Sequence, residues 1–171
     1  MRRLILATML CGCTIVPAAA QTTTGLELPS ALVPAGLSVY LAVPATGVQI
    51  YTCGKNDAGA PTWVFKAPEA QLFDTDKKQI GKHYAGPTWE ALAGGKVVGA
   101  AKANVPAPEA GSIPWLLLDI KSSEGSGAFN QAKAILRVDT HGGVAPAAGC
   151  DAAHAGEEAR VPYTATYLFL K

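Results

Sequence analysis

The segment Gly81-Lys82-His83-Tyr84-Ala85-Gly86-Pro87-Thr88-Trp89-Glu90 carries the densest set of chemically capable side chains in the sequence: an imidazole, a phenol, an indole and a carboxylate around a Gly-Pro turn. Such a turn can aim side chains from both flanks at one point. His83 near Glu90 suits acid/base chemistry, and Trp89 with Tyr84 suits stacking on a sugar or another flat apolar face. The competing reading is structural, with Trp89 and Tyr84 in the core and His83 bonded to backbone. Trp63 and Trp115 pose the same choice, since aromatics in a small β domain are normally core.

Three charges interrupt apolar stretches: Glu69 after Pro68, Asp119 within a run of Leu and Ile, and Arg137 between Leu136 and Val138. A charge in an apolar strand needs a partner if it is buried. A pair between Arg137 and a carboxylate is the economical expectation, and a glycosidase-like carboxylate dyad is the functional alternative. Gly142-Gly143 and Pro146 are expected to shape the approach to Cys150, or to form an anion-binding nest of backbone amides.

Other chemistries are missing from the sequence. There is no Gly-x-Gly-x-x-Gly fingerprint, no phosphate loop ending in Gly-Lys-Ser/Thr, and no Gly-x-Ser-x-Gly elbow, so no nucleotide cofactor is expected. The three histidines, His83, His141 and His154, include no pair at metal-ligand spacing, and no metal is expected.

The start of the chain reads as an export signal. Met1-Arg2-Arg3 is basic, Leu4 to Val16 is apolar, and Ala18-Ala19-Ala20 offers small residues for cleavage before Gln21. The apolar stretch is too short to span a bilayer, which takes about 20 residues. Leu10-Cys11-Gly12-Cys13 resembles a lipobox, so a lipoprotein anchored through Cys13 is the lesser alternative to a periplasmic or secreted protein. Either processing leaves Cys53 and Cys150 in the domain. Two thiols in an oxidising compartment most simply pair, and they lack the Cys-x-x-Cys spacing of a redox couple.

The 171 residues suit one domain. With 18 Gly, 12 Pro and only 16% charged residues, the chain is too interrupted for a helical bundle or coiled coil. The formal charge of +1 falls below zero once Arg2 and Arg3 leave with the signal, so no footprint for nucleic acid or an anionic membrane remains. After a signal peptide over 1–20, residues 21–36 read as a tether and 37–171 as the domain.

Within the domain, turn signals recur at a spacing of roughly 10 residues, as in a sandwich or barrel of antiparallel strands. Strands are expected at Leu37 to Val43 and Val48 to Cys53, on either side of a Pro44-Ala45-Thr46-Gly47 turn. Further strands are expected at Thr62 to Lys66, continuing at Ala70 to Phe73, and at Gln79 to Tyr84. Thr88 to Leu92 and Lys96 to Ala101 flank an Ala93-Gly94-Gly95 hairpin. Ile113 to Ile120 suits a strand buried on both faces. One or two helical turns are expected after Ala128, then strands at Ile135 to Thr140 and Tyr163 to Leu170.

The sequence resembles a family of exported proteins of bacteria and filamentous fungi classed as domain of unknown function 3455. The resemblance rests on Val48 to Cys53, Trp63 with Pro68-Glu69-Ala70, and Gly81 to Glu90. It continues through Ile113-Pro114-Trp115-Leu116, Arg137 with Thr140 and Gly142-Gly143, Pro146 to Cys150, and Tyr163 to Phe169. Ala93-Gly94-Gly95 departs from the family's Asp-Gly-Ser, which puts a polar role for that hairpin in doubt. The resemblance implies a secreted, disulfide-containing β domain and supplies no catalytic residues. A malate dehydrogenase label carried by some fungal members finds no nucleotide fingerprint here.

The sequence therefore predicts an all-β, single-domain antiparallel barrel or two-sheet sandwich with one disulfide, Cys53 to Cys150. Its expected role is binding a small molecule or glycan through His83, Tyr84, Trp89 and Glu90, with help from Trp63, Trp115 or Arg137. A cofactor-free hydrolase of envelope or extracellular polymer and a purely structural envelope protein are the alternatives.

Overall fold

The computed structural model describes residues 25–171; the expected signal peptide, Cys11 and Cys13 lie outside them. Eight antiparallel strands follow one another around a closed barrel, and the first pairs with the last. They are β1 (Val39–Lys55), β2 (Pro61–Phe73), β3 (Gln79–Tyr84), β4 (Thr88–Ala91), β5 (Lys96–Val105), β6 (Trp115–Glu124), β7 (Ala134–Gly142) and β8 (Glu158–Leu170). Of the two β architectures expected, the chain adopts the barrel.

Where a strand, turn and strand are expected at the start, there is one 17-residue strand. Both residues that suggest a turn have other uses. Pro44 faces Thr166 of β8 just before the β2 ladder opens at Ala45↔Leu72, so its missing N–H falls at the end of one of the two ladders. Gly47 is a point of close approach: a Cβ there would lie 2.1 Å from the Glu69 carbonyl oxygen and 2.5 Å from the Ala70 Cα. Pro68 is likewise inside a strand, opposite Gln49 of β1, and pairing with β3 begins only at Ala70↔His83. The helical turns expected after Ala128 reduce to a single 3-10 turn at Phe129–Gln131.

Strand alternation sorts the side chains into two apolar clusters. One fills the barrel, with Val43, Ala45, Leu72, Trp89, Val97, Leu118, Ile135, Tyr167 and Phe169, and Phe129 stacks on Phe169 at 4.7 Å. The other lies on the outer face of β6, β7 and β8, where Trp115, Leu117, Leu136, Val138, Leu168 and Leu170 surround a fully buried Leu32. Leu26, Leu28 and Leu37 pack against that second cluster. The stretch read as a tether thus supplies three leucines, Leu26, Leu28 and Leu32, to the packed domain. The apolar run around β6 is buried on both faces because Leu118 points into the barrel and Leu117 points under this N-terminal strap.

The disulfide joins Cys53 on β1 to Cys150 in the connection from β7 to β8, 97 residues away, and pins that long loop to the barrel end. Trp63 faces Cys53 across the β1–β2 ladder, and its indole N–H donates to the Ala148 carbonyl at 2.9 Å. Closing so long a loop restricts the unfolded chain strongly. Replacing both cysteines by Ala is expected to lower unfolding free energy by about 2–5 kcal/mol in chemical denaturation. Gly47→Ala, which drives a methyl group into β2 backbone, is expected to cost about 2 kcal/mol or more in the same assay.

Candidate functional site

The strands of the barrel differ in length, and the difference opens its wall. β3 has 6 residues and β4 only 4, against 13 for β2 and 10 for β5. β2 pairs with β3 only from Ala70 to Phe73, and β5 pairs with β4 only from Lys96 to Val98. Above the Ala85-Gly86-Pro87 turn, the upper parts of β2 and β5 have no strand between them. Pro68 stands at this free edge of β2, where a missing N–H breaks no ladder. The resulting window leads into a cavity of about 250 Å³.

Phe65, Lys66 and Pro68 line one side of the cavity, Ala101 and Leu116 the other, and Ala85 to Pro87 form the sill. His83, Trp89, Leu118, Arg137 and Tyr167 close its base. Strand register explains this assembly. On one side, Ala70, His83, Trp89 and Val97 are successive cross-strand neighbours from β2 to β5. On the other, Leu116, Arg137, Tyr167 and Val43 are neighbours from β6 through β7 and β8 to β1. The two rows meet inside the barrel, with the Tyr167 ring 4.9 Å from His83 and 5.3 Å from Trp89.

His83 is 3% exposed, and its ring stacks on Trp89 at 4.5 Å. Its Nδ1 lies 2.8 Å from the Thr88 carbonyl oxygen. A carbonyl only accepts, so in the neutral ring Nδ1 carries the proton and Nε2 is left as an acceptor. Burial pushes the His83 pKa down to about 3, against a smaller opposing effect of the Thr88 bond. The imidazole is therefore uncharged across the physiological range. The sequence reading of His83 as either a proton-transfer group or a backbone-bonded core residue resolves geometrically toward the second, although the ring still borders the cavity.

Arg137 projects into the barrel, where a carboxylate partner was expected. Its Nε and Nη2 instead donate to the Pro114 carbonyl at 3.2 and 2.8 Å. No ion pair of Arg137 occurs among the described residues. The reason is the alternation: Glu69 and Asp119 project from the outer face, where they pair with Arg160 at 2.8 Å and Lys102 at 3.1 Å. Pro114 is held in place because its neighbour Ile113 donates to the Gly142 carbonyl at 2.9 Å and accepts from the Thr140 hydroxyl at 2.6 Å.

Around Arg137 are phenols in place of acids. The Tyr163 and Tyr167 hydroxyls lie 3.2 Å apart, and the Tyr51 hydroxyl donates to the Gly143 carbonyl at 2.7 Å. Burial raises the pKa of all three phenols, so they stay protonated. Burial also lowers the Arg137 pKa. A guanidinium nevertheless remains charged in any protein environment.

The other candidates lie elsewhere. Tyr84 and Glu90 alternate with His83 and Trp89 and so face outward, where the Tyr84 hydroxyl donates to Glu90 Oε2 at 2.7 Å and Lys82 approaches the same oxygen at 3.4 Å. Trp63 braces the disulfide loop, and Trp115 is buried under the N-terminal strap. Of the seven residues singled out, His83, Trp89 and Arg137 come together. Tyr167, Leu116, Leu118, Phe65 and Ala101 complete the cavity and were not anticipated. The alternation of Tyr163, Ala165, Tyr167 and Phe169 was a usable signal for Tyr167, because it sets phenols on the inward face.

Fold and site together define a closed up-and-down β-barrel with a side window onto an interior cavity containing one guanidinium. The family described as protein of unknown function (DUF3455) matches residues 34–171, and the chain belongs to it. No curated protein and no solved structure matches the chain.

The His83 environment has a thermodynamic consequence. Its folded pKa is below its unfolded value of about 6.5, so between those values the unfolded chain binds more protons and stability falls as pH falls. Between pH 7 and pH 5 this group alone is expected to cost about 2 kcal/mol. Denaturant melts of wild type and His83→Phe at both pH values check this: the variant is expected to lose that increment of acid sensitivity.

Proposed function

We propose that this protein is an exported binding module that takes a small, largely apolar molecule through the side window into the barrel. The observation that carries the reading is the window itself, a gap in an otherwise closed wall that leads to a cavity of about 250 Å³. For scale, an apolar protein cavity of about 150 Å³ accommodates benzene. The walls combine apolar and aromatic side chains with few polar groups, the usual composition of a ligand pocket. The disulfide is compatible with a periplasmic or extracellular setting.

A glycan platform is less well supported. Stacking on a sugar ring needs an open aromatic face, and Trp89 is 0% exposed while Tyr84 is tied to Glu90 on the outer surface. A hydrolase is also less well supported, because His83 is a very weak base and the cavity lining includes no carboxylate and no Ser or Cys nucleophile.

The reading is tested by occluding the entrance. Ala101 is exposed at the window, so Ala101→Trp adds bulk there without overfilling the core. Small-molecule hits from a thermal-shift screen of wild type are expected to lose about tenfold or more in affinity in Ala101→Trp, with the unliganded melting temperature nearly unchanged. Hits that bind both proteins equally would place their site outside the barrel and count against the reading.

A further inference from the structure

We infer that the cavity selects a monoanion, a compact carboxylic acid whose carboxylate is received by Arg137 and whose apolar body lies against Leu116, Ala101 and Phe65. The inference rests on the cavity reading above and adds the charge of the ligand.

Arg137 carries the argument. A guanidinium has five N–H donors in a planar fork, and the Pro114 carbonyl engages only the Nε and Nη2 ends. The N–H donors that this carbonyl leaves over face the Tyr167 hydroxyl, with which the guanidinium also bonds, and the cavity that Arg137 lines. The cavity lining contains no Asp or Glu. Its other charged residue, Lys66 at the rim, already pairs with Glu158. The base of the barrel therefore holds one positive charge that the described residues do not balance. Partial burial of such a charge is costly until an anion joins it, and a carboxylate matches the guanidinium fork in shape and number of acceptors. A dianionic phosphate would meet only one unpaired cation, so the charge count favours a single negative charge. Of the three protonated phenols nearby only Tyr167 lines the cavity, and none adds a competing negative charge.

Size narrows the class further. Scaled against the benzene-binding cavity, the space fits roughly ten to twelve non-hydrogen atoms, a single ring with a short acid chain or a medium-chain fatty acid. Longer chains would have to extend out through the window past Phe65.

Isothermal titration calorimetry with phenylbutanoate and phenylbutanamide, which have the same number of non-hydrogen atoms, tests the inference on the full folded domain at neutral pH. Wild type is expected to bind the acid about tenfold or more tighter than the amide, the range for a hydrogen-bonded charge in a partly buried site. Arg137→Gln is expected to bring the acid-to-amide ratio near one, and Arg137→Lys to restore part of the preference. Equal affinity of wild type for acid and amide would overturn the anion inference and leave the cavity reading standing. Binding of neither compound would overturn both. An acid preference that survives in Arg137→Gln would overturn the assignment to Arg137. The wild-type ratio is decisive even where a variant fails to fold.

Discussion

The hydrogen-bonded closure of β1 onto both β2 and β8 is the constraint on which the rest of the molecule depends. A 17-residue strand that satisfies ladders on both sides leaves no free edge at the seam and separates inside from outside for every strand in the ring. Once the ring is closed, alternation alone decides that His83, Trp89, Arg137 and Tyr167 share an interior while Glu69, Glu90 and Asp119 do not. Gly47 makes the seam possible at its tightest point, because β2 backbone occupies the space a side chain would need. Unequal strand lengths within the ring then create the window without leaving an exposed strand end unmanaged. The gap falls where Pro68 would not have donated to a ladder anyway.

The barrel does not depend on its interior alone for stability. Its outer face over β6, β7 and β8 is as apolar as a core, and the N-terminal strap with Leu26, Leu28, Leu32 and Leu37 covers it. Fully burying a Leu side chain contributes about 1.5–3 kcal/mol, so this external cluster is a substantial share of a domain's marginal stability. An interior that includes a cavity, a charge and several phenols is packed less favourably than a filled one. The strap and the disulfide offset that cost from outside the barrel interior.

Much of this was legible in the sequence, and the parts that were not have physical reasons. Period-two alternation in Tyr163 to Leu170 and the two remaining thiols gave the closing strand and the crosslink. The Gly-Pro turn between β3 and β4 was placed correctly because nothing tertiary competes with it. Pro44 and Gly47 suggested a turn because local punctuation is ambiguous: a Pro at a ladder end and a Gly at a close crossing look like turn residues until the neighbouring strands are known. The convergence of Arg137 with His83 is invisible to any local pattern. It depends on registers set by bulges in β7 and β8 and by closure of the ring, so Arg137 reads only as a charge in need of a partner.

The two polar groups at the base of the cavity make an instructive contrast. His83 is buried, neutral and bonded to Thr88, so it costs the folded state little at neutral pH. Arg137 cannot discharge itself. Buried charges that exist only to support a fold are often replaceable by apolar residues of similar volume without loss, or with a gain in stability. The surroundings of Arg137 would suit such a residue, since Leu116 and Tyr167 flank it across the ladder and Leu118 and Trp89 lie nearby. The Pro114 carbonyl, anchored through Ile113, Thr140 and Gly142, orients the guanidinium but supplies no negative charge. A device that positions a cation in an apolar, accessible cavity and leaves its charge unbalanced among the described residues has the arrangement of a half-site. On the proposed binding reading, the missing half comes with the ligand.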